Sequence, residues 1–200
     1  MDDYIFDFIY SMAMTDATKR TDSATFKEAL LGVEHAKRLV KDHILNILNN
    51  RAEDVVSVIE SVNNSLHNDE NHFCFGNAQK LVNMTVKYFY IMVYNGNLDR
   101  SKFESAHCPM DRIMKDTVVK RYKAAIEDDL EQKNKRIEYF SFAEGGRETK
   151  DWSGVAWSKI TEQNRELYSK FQTMVSYLCD KDEEIINPID YDYKYYKSDD

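Results

Sequence analysis

Two short segments carry residue types that could do chemistry. The first is Phe73-Cys74-Phe75-Gly76-Asn77-Ala78-Gln79-Lys80-Leu81-Val82-Asn83-Met84, in which a glycine stands four residues ahead of Lys80 at the opening of a strongly apolar helix. The positive end of a helix dipole disfavours an ammonium by a few tenths to about 1 kcal/mol. Partial burial acts in the same direction, and both favour the neutral amine that a nucleophilic lysine needs. The second is Ala106-His107-Cys108-Pro109-Met110-Asp111-Arg112-Ile113, where a carboxylate follows a proline by two residues, again at a helix start. An acid in a first turn is also stabilised by the dipole whatever else it does.

The pair resembles the helix-hairpin-helix DNA glycosylases of base-excision repair. In that family a glycine-rich hairpin leads into a helix bearing a catalytic lysine, and a Val-Pro-Val-Asp type segment supplies the essential aspartate. Lys80-Leu81-Val82-Asn83-Met84 is similar to the first and Cys108-Pro109-Met110-Asp111 to the second. Their separation of 31 residues is longer than in most of the family and looks like that of the archaeal 8-oxoguanine glycosylase branch. Ala78 stands where the hairpin has its second glycine, and Leu81 where a threonine is usual.

The resemblance implies a DNA glycosylase and abasic-site lyase working without a cofactor. Lys80 would attack the sugar C1′ and form a Schiff base, and Asp111 would deprotonate it or stabilise the oxocarbenium-like charge. Backbone amides around Gly76 and Asn77 would hold a phosphate. The target base would flip into a pocket and stack on Phe140, Phe142, Trp152 or Trp157, with Gln79 and His107 as accessory groups. Arg112, Lys115, Lys120, Arg121 and Lys123 give the following helix a basic side that would face DNA phosphates. Read without the resemblance, that side is a solvated face balanced by Glu127-Asp128-Asp129.

Other chemistry-bearing residues read as structural. Cys74, Cys108 and Cys179 are an odd number, widely spaced, with no Cys-x-x-Cys, which predicts reduced thiols rather than a zinc ribbon or disulfide framework. His35 and His43 lie two turns apart on one helix, too far for one metal ion, and His107 has no spaced co-ligands, so no metal site is expected.

The net charge of −8 argues against a general nucleic-acid-coating role, though not against a local basic patch. Much of that charge sits in residues 182–200, where Asp182, Glu183, Glu184, Asp190, Asp192, Asp199 and Asp200 face only Lys194 and Lys197. This supports a second class of function: a non-enzymatic binding or inhibitor protein, of phage or defence type, whose acidic Tyr-rich tail occupies a partner's basic groove. The same tail could instead pack its tyrosines on the helices. A third class is a ligand-sensing helical domain with a pocket lined by Tyr88, Phe89, Tyr90 and the tryptophans, although aromatics at helical spacing usually pack inside.

Composition bounds the elements that position these residues. With 200 residues, 42% hydrophobic and 31% charged, the chain can bury a core without metals or disulfides. Six glycines and two prolines are too few for a many-turned β-sandwich. No apolar run reaches the roughly 18–20 residues that span a bilayer, and the N-terminus is acidic where a signal peptide is basic, which predicts a cytoplasmic protein without membrane association.

Apolar periodicity predicts a mainly α domain of six or seven helices over residues 1–186, with a glycosylase-like core over about 25–180 and a tail over 187–200. The expected helices cover Tyr4 to Ala17, one long run from Thr25 to Ile47, residues 52–66, Phe73 to Tyr94, Pro109 to Gln132, and Ser158 to Asp180. Pro109 is expected in a first turn. Between Lys133 and Trp157 the periodicity fails, and Ile137 to Phe142 reads as a short strand before a turn at Glu144-Gly145-Gly146-Arg147.

Overall fold

The computed structural model of the chain describes residues 2–18, 22–51, 53–68, 72–93, 99–127, 142–144, 147–149 and 155–196. Among them run α1 (Asp3–Ala17), α2 (Ala24–Leu31), α3 (Glu34–Leu48), α4 (Val55–Leu66), α5 (Phe75–Val93), α6 (Arg112–Ala125), α7 (Glu166–Cys179) and α8 (Pro188–Tyr195). The chain is mainly helical, as the periodicity predicts. Two short strands, β1 (Phe142–Glu144) and β2 (Arg147–Thr149), pair antiparallel with Glu144 opposite Arg147. Of the strand expected over 137–142, residues 137–141 lie outside the described residues.

Side-chain caps start most of the helices. Asp2, Ser23, Asp54, Asp111 and Asn187 each accept hydrogen bonds from first-turn amides of α1, α2, α4, α6 and α8. These are the residue types whose short side chains reach amides that the helix itself leaves without partners.

Helix α5 is the axis of the fold. It packs on α1, α4 and the turn at Trp157–Lys159, while α6 packs on α7, and α8 lies against both of those. Most of α5 is buried on every side, including Phe75, Ala78, Leu81, Val82 and Val86. A helix apolar all round belongs in the interior. Its buried polar residues are all bonded: Asn77 to Ala17, Gln79 to Met110, Asn83 to Tyr168, and Thr85 to the Leu81 carbonyl of its own helix.

Three boundaries differ from the periodic reading, each for a local reason. The long run from Thr25 divides into α2 and α3 at Gly32, the weakest helix former in it, where Val33 leaves helical dihedrals at φ −82° and ψ 86°. A break of one or two residues barely shifts the apolar phase, so periodicity misses it. Helix α6 starts after Asp111 rather than at Pro109, because side-chain amides bind the backbone of Cys108 and Met110 and hold that stretch out of the helix. Helix α7 begins only at Glu166, behind short 3₁₀ turns at Trp157–Lys159 and Glu162–Asn164.

The expected tail is largely part of the body. Pro188 opens α8, whose Ile189 and Tyr191 are buried. Asp190 accepts from the Tyr90 hydroxyl at 2.6 Å and pairs with Arg100 at 2.6 Å, and Asp192 pairs with Lys87 at 2.5 Å. Tyr193 remains exposed. No helix of the described residues is long and apolar enough to cross a membrane.

Candidate active site

Lys80 and Asp111 meet. Lys80 lies in the second turn of α5, and Asp111 caps α6, its Oδ1 accepting the Met114 N–H at 2.9 Å. That bond turns Oδ2 toward α5, where it stands 3.9 Å from Lys80 Nζ. Both side chains are mostly buried, 13% and 15% exposed, yet both open onto one cleft of about 240 Å³. On another side the ammonium faces the ring of Trp157, 4.6 Å from its centroid. A cation over an indole face gains electrostatic stabilisation, and the contact also fixes where the amine points.

A second ion pair lines the same cleft. Lys87 is seven residues after Lys80, two turns along the same face, and its Nζ is 2.5 Å from an Asp192 oxygen. Asp192 is 1% exposed, and burial raises its pKa against the opposing pull of Lys87. Asp16 accepts a short hydrogen bond from the Tyr88 hydroxyl; burial and then that carboxylate raise the phenol's pKa. Tyr196 lies over Lys87, and Met84 and Pro109 supply apolar wall. The cleft thus presents two amines and three carboxylates.

The phosphate-holding role expected of Gly76 and Asn77 is not available in this geometry. The Gly76 N–H donates to the Ile160 carbonyl at 2.8 Å and the Asn77 N–H to the Cys74 carbonyl at 2.8 Å. The Asn77 side chain donates to the Ala17 carbonyl and accepts from the Cys74 N–H. Gly76 serves instead as a close-approach point, since a Cβ there would lie 1.9 Å from the Trp157 carbonyl oxygen.

Of the cations expected on phosphates, Arg112 is exposed, whereas Lys115 is 4% exposed and donates to the Val155 carbonyl at 2.7 Å. Lys115 therefore ties down the segment that carries Trp157. Arg121 lies over the Tyr195 ring, 3.8 Å from its centroid.

The accessory groups also face inward. Gln79 is fully buried and hydrogen-bonded to backbone. His107 contacts the Tyr168 hydroxyl at 2.8 Å, and its pKa is pushed down to about 4, first by burial and then by the nearby His43. It is a half-buried histidine whose surroundings favour the neutral ring. His43 is buried against Glu53, and His35 is exposed beside Arg38. Phe140 and Trp152 lie outside the described residues and Phe142 opens β1, while Trp157 is brought to Lys80.

The three cysteines are free thiols. Among the described residues no group of three or more His, Cys, Asp or Glu side chains is disposed to hold a metal ion. The residues that sequence reasoning missed are Lys87, Asp192, Asp16 and Tyr196. Lys87 was signalled by its seven-residue spacing from Lys80; Asp192 had no local signal. Comparison with protein-family models, with curated proteins and with solved structures finds no match to this chain.

Proposed function

We propose that the protein is a DNA base-excision glycosylase and abasic-site lyase, with Lys80 as nucleophile and Asp111 as its partner carboxylate. One observation carries this reading: an amine and a carboxylate 31 residues apart in the chain stand 3.9 Å apart in a common cleft. The cleft volume, about 240 Å³, suits one small ring system better than a larger ligand.

The chemistry follows from the two groups. Lys80 acts as the neutral amine: its proton passes to solvent, and its nitrogen lone pair then attacks C1′ of the sugar. The glycosidic bond breaks, and its electron pair leaves with the base, which takes up a proton. The Asp111 carboxylate stabilises the positive charge that develops on the sugar. The new C1′–N bond then drives opening of the sugar ring to a Schiff base. Loss of a C2′ proton expels the 3′ phosphate.

The Trp157 ring is engaged by the Lys80 ammonium and does not line the cleft, so it orients the amine rather than stacking on an extruded base. Exposed Arg112, in the first turn of α6, is the cation best placed to meet a phosphate. Among the described residues few exposed cations lie near the cleft, so their contribution to binding should depend only weakly on salt.

The test is borohydride trapping on DNA containing abasic sites or 8-oxoguanine, with Lys80→Ala alongside. The expected result is a covalent adduct that the variant lacks. An unchanged adduct in Lys80→Ala, or no adduct on any of these substrates, overturns the lyase reading.

A further inference from the structure

Gln79 and Met110 each immediately precede a residue of the candidate pair. The Gln79 side chain binds both backbone groups of Met110: its Nε2 donates to the Met110 carbonyl at 2.8 Å, and its Oε1 accepts the Met110 N–H at 3.2 Å. Nε2 also donates to the Gly76 carbonyl at 3.1 Å, and Oε1 also accepts from Asn83 Nδ2 at 3.3 Å. A primary amide has two donor hydrogens and two acceptor lone pairs, so every bonding position of this side chain is filled. With 0% exposure, it has nothing left to offer a substrate.

A second amide repeats the pattern from α7. Gln172 Nε2 donates to the Cys108 carbonyl at 2.8 Å, and its Oε1 accepts the Cys108 N–H at 3.1 Å. Two glutamines on two helices therefore clasp the stretch between His107 and Asp111, which also carries a tight turn from the Asp111 N–H to the Pro109 carbonyl at 3.2 Å. The clasp is specific in register, because a slip of one residue moves the chain by about 3.3 Å. Such a slip would carry Asp111 away from Lys80.

We propose that Gln79 is a positioning residue whose grip on Met110 sets the distance between Asp111 and Lys80, and with it the reactivity of the Lys80 amine. This rests on the reading of Lys80 and Asp111 as a working pair. The Gln172 clasp, on Cys108 three residues before Asp111, anchors the stretch without setting that distance.

The test separates positioning from packing. Wild type, Gln79→Met and Gln172→Met are treated with pyridoxal 5′-phosphate and borohydride across a range of pH. The aldehyde condenses with a neutral amine to give an imine and water, hydride reduces the imine, and peptide mapping reads the label at Lys80 and at surface Lys120. Borohydride trapping on abasic DNA is measured on the same proteins.

With Asp111 displaced, Gln79→Met should raise Lys80 labelling at neutral pH roughly threefold, the size expected for loss of a partly exposed ion pair. The labelling profile should move to lower pH, the Lys120 label should stay constant, and the DNA adduct should fall. Gln172→Met should leave the Lys80 profile in place even where it lowers the melting temperature. An unchanged Lys80 profile in Gln79→Met overturns the proposal.

If wild type forms no DNA adduct while the Lys80 profile still shifts in Gln79→Met, the glycosylase reading fails and the positioning role stands. Should Gln79→Met not fold, Gln79→Glu has nearly the same shape and loses donor capacity toward the Met110 and Gly76 carbonyls. The same readout on that variant, shifted or unshifted, supports or overturns the proposal.

Discussion

The carbonyl oxygen of Trp157 occupies the space where a side chain at Gly76 would begin, 1.9 Å from an ideal Cβ. Two further bonds hold the strand of chain that makes this approach. The Ile160 carbonyl accepts the Gly76 N–H, and the Val155 carbonyl accepts from Lys115. The Trp157 ring is thereby brought over Lys80.

Gly76→Ala should therefore displace the 155–160 segment. Overpacking of this kind costs about 1–3 kcal/mol. A melting temperature several degrees lower and a shift in tryptophan emission are expected. An alanine variant that melts with wild type would show that the segment yields freely.

Asp111 has two roles that substitutions can separate. Asparagine caps a helix as well as aspartate does, but it carries no charge. Asp111→Asn should melt within a degree or two of wild type and trap at least tenfold less adduct on abasic DNA, if charge stabilisation is of the usual size. Asp111→Ala should in addition lose about 1 kcal/mol of stability with the cap. Full trapping by Asp111→Asn would reduce the residue to a cap.

His107 should make the fold sensitive to mild acid. Its folded pKa, about 4, lies below the ordinary value of 6.5, so the unfolded chain binds the proton more readily. The stability it contributes is complete above about pH 6.5 and is lost as pH falls toward 4, on the order of 3 kcal/mol across that window. Urea unfolding at several pH values, for wild type and His107→Gln, should give curves that converge as the pH falls. Parallel curves would place the acid sensitivity elsewhere.

The Lys87–Asp192 pair ties α8 to the wall of the cleft. Removing one member of a buried pair strands the other, which costs roughly 3–5 kcal/mol when burial is complete. Because the Lys87 side chain is 12% exposed, Asp192→Ala should fall at the lower end of that range. Lys87→Met combined with Asp192→Leu should recover most of the loss. A single-variant cost under about 1 kcal/mol would mean that water already solvates the pair.

Much of the architecture is local and was readable. The apolar spacing of residues 52–66 and of Phe73 to Tyr94 belongs to single turns of chain. So does the expectation that Lys80 sits near the start of an apolar helix. The α2–α3 break, the late start of α6 and the helix at Pro188–Tyr195 depended on partners elsewhere. The acidic residues of the last segment read as complementary to a partner's basic groove, whereas Asp190 and Asp192 pair with Arg100 and Lys87 of the same chain.

By itself, the sequence determined the helical class and nominated Lys80 and Asp111 by type and setting. The tertiary structure decided that they meet and that Trp157, Lys87 and Asp192 join them. It also decided that Gln79, His107 and Lys115 turn inward and that the amides of Gly76 and Asn77 are already bonded. The physical reason is range. Helical periodicity and capping are set within a few residues, whereas an interior amide or charge finds its partner on whichever element packs against it.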